Sequence, residues 1–153
     1  MEVEIQIRIE ASARDLPIPN YMTPGSSGLD LLASESVMIG AGDWAKVCCG
    51  FSIAIPIGYE GQVRPRSGIA LEYGVTVLNA PGTIDADYRG LVQVILINHG
   101  TRNYQVERGA RIPVGNQPRA PCSTENDGES GGNGTGPGRL WSYRTVGKNY
   151  TPV

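Results

Sequence analysis

Apolar residues in this chain recur at every second position or in short β-branched runs. EIQIRI at Glu4–Ile9 alternates polar residues with isoleucine, and LVQVILIN at Leu91–Asn98 alternates in the same way. Period two places one set of side chains on one face of an extended strand. Strands are expected at Glu4–Ile9, Ser36–Ile39, Ala45–Val47, Phe51–Ile55, Tyr59–Val63, Val75–Val77, Leu91–Asn98 and Tyr104–Val106, each bounded by Gly, Pro, Asn or Asp. A helical period is sustained almost nowhere, and one or two helical turns fit only at Gly68–Tyr73. Many short strands predict an all-β domain, a sandwich or jelly roll.

The pattern stops after Ile112. Pro113–Gly138 reads PVGNQPRAPCSTENDGESGGNGTGPG, with little to bury and no period, which predicts disorder. RLWSYRTVGKNYTPV brings aromatics back without a clean pattern. The expected organisation is therefore one β domain over residues 1–112 and an irregular or disordered tail over 113–153.

Charge narrows the partners. Lys and Arg number 13 against 15 Asp and Glu, so no basic field exists to gather nucleic acid or an anionic membrane, and an anionic ligand must be held by local groups. No apolar run approaches a membrane span. The start, MEVEIQIRIE, has the pattern of neither a signal nor a transit peptide. Cys48, Cys49 and Cys122 lack metal-ligand spacing, and an adjacent pair does not readily bridge, so a reducing, cytoplasmic-type compartment is expected.

Three segments carry candidate chemistry: GSSGLDL at Gly25–Leu31, RPRSGIA at Arg64–Ala70 and NAPGTIDADYRG at Asn79–Gly90. Arg66, Ser67 and Gly68 place a guanidinium, a hydroxyl and unhindered backbone N–H groups in one turn, an arrangement that receives phosphate oxygens. Alone, the same residues also fit a surface ion pair and a helix cap. Asn79–Gly90 reads as a β-hairpin lining a pocket, where Gly82 lets the backbone approach a ligand closely. Asp85 and Asp87 also fit ordinary turn residues, and Tyr88 a cross-strand aromatic. His99, the only histidine, falls outside these segments and reads as structural.

In order and spacing the three segments resemble the first three motifs of the homotrimeric dUTPase family, AGxDL, PRSGLA and GxIDxDYxG. The resemblance implies a jelly-roll-like distorted barrel that hydrolyses dUTP to dUMP and pyrophosphate. Arg66, Ser67 and Gly68 would hold the phosphates. Asn79, Gly82, Thr83 and Ile84 would read uracil, largely through the main chain, with Tyr88 stacked on the deoxyribose and leaving no room for a 2′-hydroxyl. Asp85 would be the general base that activates water for attack on the α-phosphorus. Gln93 would reach the ligand from the following strand, and Asp30 would support the phosphate-binding arginine or a metal-bound water, or remain a structural ion pair. Mg²⁺ is implied, held through the substrate phosphates rather than by a protein cage, and a threefold trimer would share sites between subunits. Two alternatives are a dCTP deaminase of the same fold and a non-catalytic nucleotide-binding jelly roll.

The resemblance breaks after Ile112. The family continues as RIAQLxIxPV and ends in a glycine-rich arm, RGGFGxTG, whereas this chain has Arg111 and Ile112 followed by PVGNQPR. Permitted codons for Pro113–Ala120, read one base later, yield QLVINPV. The same shift over Pro137–Gly147 yields RGGFGHTGR and a stop. We read the sequence after about Ile112 as a frameshifted translation, with an impaired enzyme as the consequence. GGNGTG at Gly131–Gly136 imitates a phosphate loop but has no adjacent aromatic and no strand before it, and it reads as disorder.

Overall fold

A computed structural model of the chain describes residues 3–119, 139–146 and 149–152, with side chains described over 3–112. Strand β1 (Val3–Ile9) leads through a 3-10 turn at Ala11–Ala13 to β2 (Leu29–Leu32), β3 (Val37–Ile39), the long β4 (Trp44–Ala54) and β5 (Glu60–Pro65). Helix α1 (Ser67–Tyr73) follows, then β6 (Val75–Val77), β7 (Gly82–Ile84), β8 (Leu91–Asn98), β9 (Tyr104–Val106), β10 (Arg111–Arg119), β11 (Arg139–Val146) and β12 (Asn149–Pro152).

These strands form a six-stranded sheet in the order β12-β11-β1-β4-β8-β6, a four-stranded sheet in the order β2-β10-β5-β7, and the pair β3-β9. The period-two pattern explains the core. Ile5, Ile7 and Ile9 of β1 and Val92, Val94 and Leu96 of β8 point inward against Leu31, Val63, Ile84 and Ile112 of the second sheet, in one buried cluster. Fully burying an aliphatic side chain of this size contributes about 1.5–3 kcal/mol. The outward residues of β8, among them Ile95 and Ile97, stay partly exposed.

The two strands expected at Ala45–Val47 and Phe51–Ile55 are one. Strand β4 pairs with β8 over Trp44–Cys48 and again at Ser52, with a register shift between the two, and its Phe51–Ala54 end pairs with β1. Gly50 lies within that shift in the left-handed region, φ 72°, a conformation that favours glycine. Asn98, fully buried, closes the far end of β8. Its amide donates to the carbonyls of Ile39 at 3.1 Å and Arg102 at 2.8 Å and accepts from the N–H of Gly100 at 2.9 Å, so it ties β3 to the loop before β9.

Of the segment after Ile112, the backbone of 113–119 runs on as β10, and 139–146 and 149–152 pair as β11 and β12. The disorder expected at 120–138, including GGNGTG, lies outside the described residues. Strand β10 lies between β2 and β5, and its two prolines fall where that ladder is interrupted. Pro113 sits in the register shift between Arg111 and Gly115, and Pro118 pairs with Gly61 of β5 beyond the end of β2. A proline gives no N–H to a ladder and is confined to such positions. No described helix is long and apolar enough to cross a membrane.

Candidate functional site

Strand β5 ends at Pro65 and the chain turns into α1. Arg66 is the residue before the helix, extended at φ −88° and ψ 124°, and no side chain caps the helix. The first N–H groups of a helix have no intrahelical partner, and Ser67 and Gly68, both exposed, carry two of them. The Ser67 hydroxyl is thus not spent as a cap. Asp30 on β2 faces this turn. Its Oδ2 lies 3.9 Å from Nη1 of Arg66 and 3.4 Å from Nη1 of Arg111. One carboxylate therefore bridges two arginines, one just beyond β5 and one on β10. Along the same face of β5, Arg64 donates to Gln62 at 2.8 Å and Gln62 to Glu60 at 2.6 Å, a chain that fixes the strand's polar side.

The second locus begins where the chain leaves β6. Asn79 packs its amide over Gly82, where an added Cβ would lie 3.4 Å from Asn79 Nδ2 and 3.4 Å from Val63 Cβ. Strand β7 pairs with β5 through Gly82–Val63, Thr83–Gln62 and Ile84–Gly61 and is the last strand of its sheet. Among the described residues no ladder takes the other side of its main chain, which can meet a planar ligand with matching donors and acceptors. Ile84 is 8% exposed and spends its side chain on the core, which leaves only its backbone for recognition. Thr83 is exposed.

Asp85–Tyr88 closes a tight turn, with the Tyr88 N–H donating to the Asp85 carbonyl at 3.1 Å. The expected hairpin is not one in the hydrogen-bonded sense, because β7 belongs to the four-stranded sheet and β8 to the six-stranded one. The turn is a bridge between sheets, fixed at both ends by non-local pairing. Arg89 braces it by donating to the carbonyls of Ala86 at 2.6 Å and Tyr88 at 2.8 Å. Asp85 is exposed, and the Tyr88 hydroxyl donates to the Leu91 carbonyl at 2.8 Å. Gln93 lies on the outward face of β8, opposite Cys48. His99 is exposed on the loop after β8.

The structure joins Asp30 to Arg66, Asn79 to Gly82, and Asp85 to Tyr88, but within one chain it does not bring the phosphate-type turn to the acidic turn. Antiparallel pairing of β5 with β7 puts Ser67 beyond the Pro65 end and Asp85 beyond the Gly61 end. At ~3.3 Å per strand residue, roughly 20 Å separate them. Arg111 and Arg89 had no assigned role in the sequence; only strand register reveals the first and only the turn geometry the second. A separate cleft of about 630 Å³ opens at the C-terminal end of α1, lined by Tyr73, Gly74, Arg102 and Tyr104 among others. There a hydrogen bond with Glu72 raises the Tyr73 phenol above its ordinary value, and burial raises that of Tyr104. Among the described residues no group of three or more His, Cys, Asp or Glu could hold a metal ion.

The architecture is the dUTPase jelly roll. The chain is similar to a mutant dUTPase from phage phi11 of S. aureus, described with a structural Mg(II) ion, with TM-score 0.70 and 17% identity over 85% of this chain and 99% of that one. It is similar to the same degree, TM-score 0.70, to a mutant Staphylococcus bacteriophage 80alpha dUTPase solved with dUpNHpp, at 18% identity over 87% of this chain and 92% of that one. Such identities speak for the fold.

Sequence carries the comparison further. The dUTPase family model matches residues 14–113. The chain is 51% identical over 106 residues to the deoxyuridine 5'-triphosphate nucleotidohydrolase of Ehrlichia canis (strain Jake), covering 68% of this chain and 69% of the relative. It is 53% identical over 113 residues to that of Aquifex aeolicus (strain VF5), covering 72% and 75%. This chain belongs to the dUTPase family.

Proposed function

We propose that the chain's active form hydrolyses dUTP to dUMP and pyrophosphate. The observation that carries this reading is edge strand β7 running straight into the Asp85–Tyr88 turn: free main-chain groups at Gly82–Ile84, an exposed carboxylate and an exposed ring follow one another along the chain. The main chain of β7 and the Asn79 amide read uracil, and Tyr88 takes the deoxyribose. Asp85 orients a water and removes its proton as the oxygen attacks the α-phosphorus, and pyrophosphate leaves. Arg66, held by Asp30, and the N–H groups of Ser67 and Gly68 meet the phosphate oxygens. Mg²⁺ would be held by those phosphate oxygens. When bound it neutralises phosphate charge. Gln93 contacts the ligand only from the outward face of β8.

The working unit is a homotrimer. The roughly 20 Å between the two turns supports this, because a site needing both must take them from different subunits. The partly exposed Ile95 and Ile97, with exposed Leu78 and Trp44, supply an apolar surface on the same sheet. The free thiols of Cys48 and Cys49 support a reducing compartment such as the cytoplasm.

The catalytic unit is residues 1–112, and 113–153 is a frameshifted replacement of the family's last two motifs that impairs turnover. The family match, which ends at residue 113, supports this. The test is a steady-state assay of all four deoxynucleoside triphosphates and dUTP, with and without Mg²⁺, on this chain, a frame-corrected chain and Asp85→Asn in the corrected background. We expect turnover of dUTP alone, restored by the corrected frame and abolished by Asp85→Asn. Equal turnover by both frames overturns the frameshift, and unchanged turnover by Asp85→Asn overturns the mechanism.

A further inference from the structure

Tyr88 is 41% exposed, and an exposed tyrosine ordinarily samples several rotamers. Here the ring is folded back over its own chain. Its hydroxyl donates to the Leu91 carbonyl at 2.8 Å, and the ring lies where the side chain of residue 90 would otherwise be. A Cβ at Gly90 would come within 2.6 Å of Tyr88 Oη, 2.8 Å of Cζ and 3.1 Å of Cε2. The glycine is not there for backbone conformation. The left-handed glycines are Gly42, Gly50, Gly58, Gly74 and Gly109, and Gly90 is not among them. What Gly90 supplies is room.

We propose that Gly90 is the positioning residue for Tyr88: its bare backbone seats one face of the ring, the Leu91 carbonyl latches the hydroxyl, and the outer face is thereby held ready for a sugar lacking a 2′-hydroxyl. The inference rests on the deoxyuridine reading of this turn and adds to it the residue on which sugar selectivity depends. Ordering the ring before the ligand arrives removes part of the entropy lost on binding. It also fixes how closely the ring approaches C2′, which a mobile ring could not do. Because the atoms a Cβ would strike belong to the far end of one side chain, Gly90→Ala displaces the ring rather than the backbone. Arg89 and the Asp85–Tyr88 bond continue to hold the turn.

The test uses the full chain with dUMP and UMP as probes, titrated by calorimetry into the parent, Gly90→Ala, Tyr88→Ala and the double variant, with NMR of the free proteins. In the parent, the ring current of Tyr88 should shift the Gly90 Hα resonances upfield, and Tyr88→Ala should remove that shift; its absence in the parent overturns the seating itself, whatever the ligand. Gly90→Ala should lower the dUMP-over-UMP preference about tenfold, as loss of an ordered aromatic contact does. Adding it to Tyr88→Ala should change nothing further. An undiminished preference in Gly90→Ala, or losses that add in the double variant, overturns the positioning role. Should Gly90→Ala not fold, the double variant must fold, since the obstructing ring is gone; failure of both overturns the proposal. A parent that shows the upfield shift but does not prefer dUMP sinks the deoxyuridine reading, and the selectivity role with it, while leaving the seating of the ring in place.

Discussion

Asp30 and Arg66 meet across an intervening strand: Oδ2 of the first, on β2, lies 3.9 Å from Nη1 of the second, beyond β5, with the β10 backbone between their strands. The same oxygen serves Arg111 at 3.4 Å. A carboxylate 18% exposed thus stands between two more open guanidinium groups.

Asp30→Asn should weaken binding of the non-hydrolysable analogue dUpNHpp by about 10–100-fold, the worth of a charge-assisted contact. Affinity for dUMP should change by no more than about threefold, because the β7 edge and Tyr88 are untouched. Calorimetry on both ligands decides. Tighter analogue binding would show that Asp30 merely quenches Arg66.

Stability should depend heavily on Asn98. Replacing it by leucine removes three hydrogen bonds and strands the carbonyls of Ile39 and Arg102 and the N–H of Gly100. The cost should be about 3 kcal/mol or more, read as a shift in the urea midpoint. A loss below about 1 kcal/mol would mean those groups find other partners.

Ser52 and Gly50, near neighbours in β4, should respond in opposite ways. The Ser52 hydroxyl is buried and has no hydrogen-bond partner among the described residues, so Ser52→Ala should leave stability within about 0.5 kcal/mol or raise it by about 1 kcal/mol. Gly50→Ala should cost about 2–4 kcal/mol. Its φ is 72°, and the new Cβ would collide with Ala13 and stand 2.8 Å from Ser34 Cβ. Thermal melts of both variants provide the check.

Acid should erase the link between the 3-10 turn and the loop before β10. Arg108 donates to both carboxylate oxygens of Asp15, at 2.9 and 2.7 Å, and these hydrogen bonds hold the Asp15 carboxyl below its ordinary 3.8. A depressed carboxylate stabilises the fold above its unfolded value and loses that contribution as pH falls through the lower folded value. Asp15→Asn should therefore melt slightly below the parent at pH 6, with the gap closing below 3.8. The pair is exposed, so the gap will be small. A gap that persists under acid would assign the effect to packing.

Much of this fold could be read residue by residue, because period two is a local property. Val75–Val77, Leu91–Asn98 and Tyr104–Val106 are strands with the expected limits, and the helix expected at Gly68 begins at Ser67. What escaped was non-local. Leu29–Leu32 is four residues long with a charge in it, and it becomes a strand only by pairing with β10. PVGNQPR carries two prolines and nothing apolar but valine, so the strand geometry of its backbone is set by pairing with β5 rather than by its own pattern. The turn holding Asp85 and Tyr88 was visible in its motif, yet its suspension between two sheets depends on β7 choosing β5 as partner. Arg111 was visible as an arginine, but its junction with Asp30 required the register of β10.

The acidic turn and the arginine turn sit at opposite ends of one strand pair, so under the proposed shared site damage to either should disable a different half. Frame-corrected chains carrying Arg66→Ala and frame-corrected chains carrying Asp85→Asn, each inert alone, should regain turnover of dUTP when refolded together, since some junctions then receive an intact half from each parent. Recovery of turnover in the mixture would make the assembly the genetic unit of function, with two defective alleles adding up to a working one; a mixture as inert as its parents would overturn the shared site.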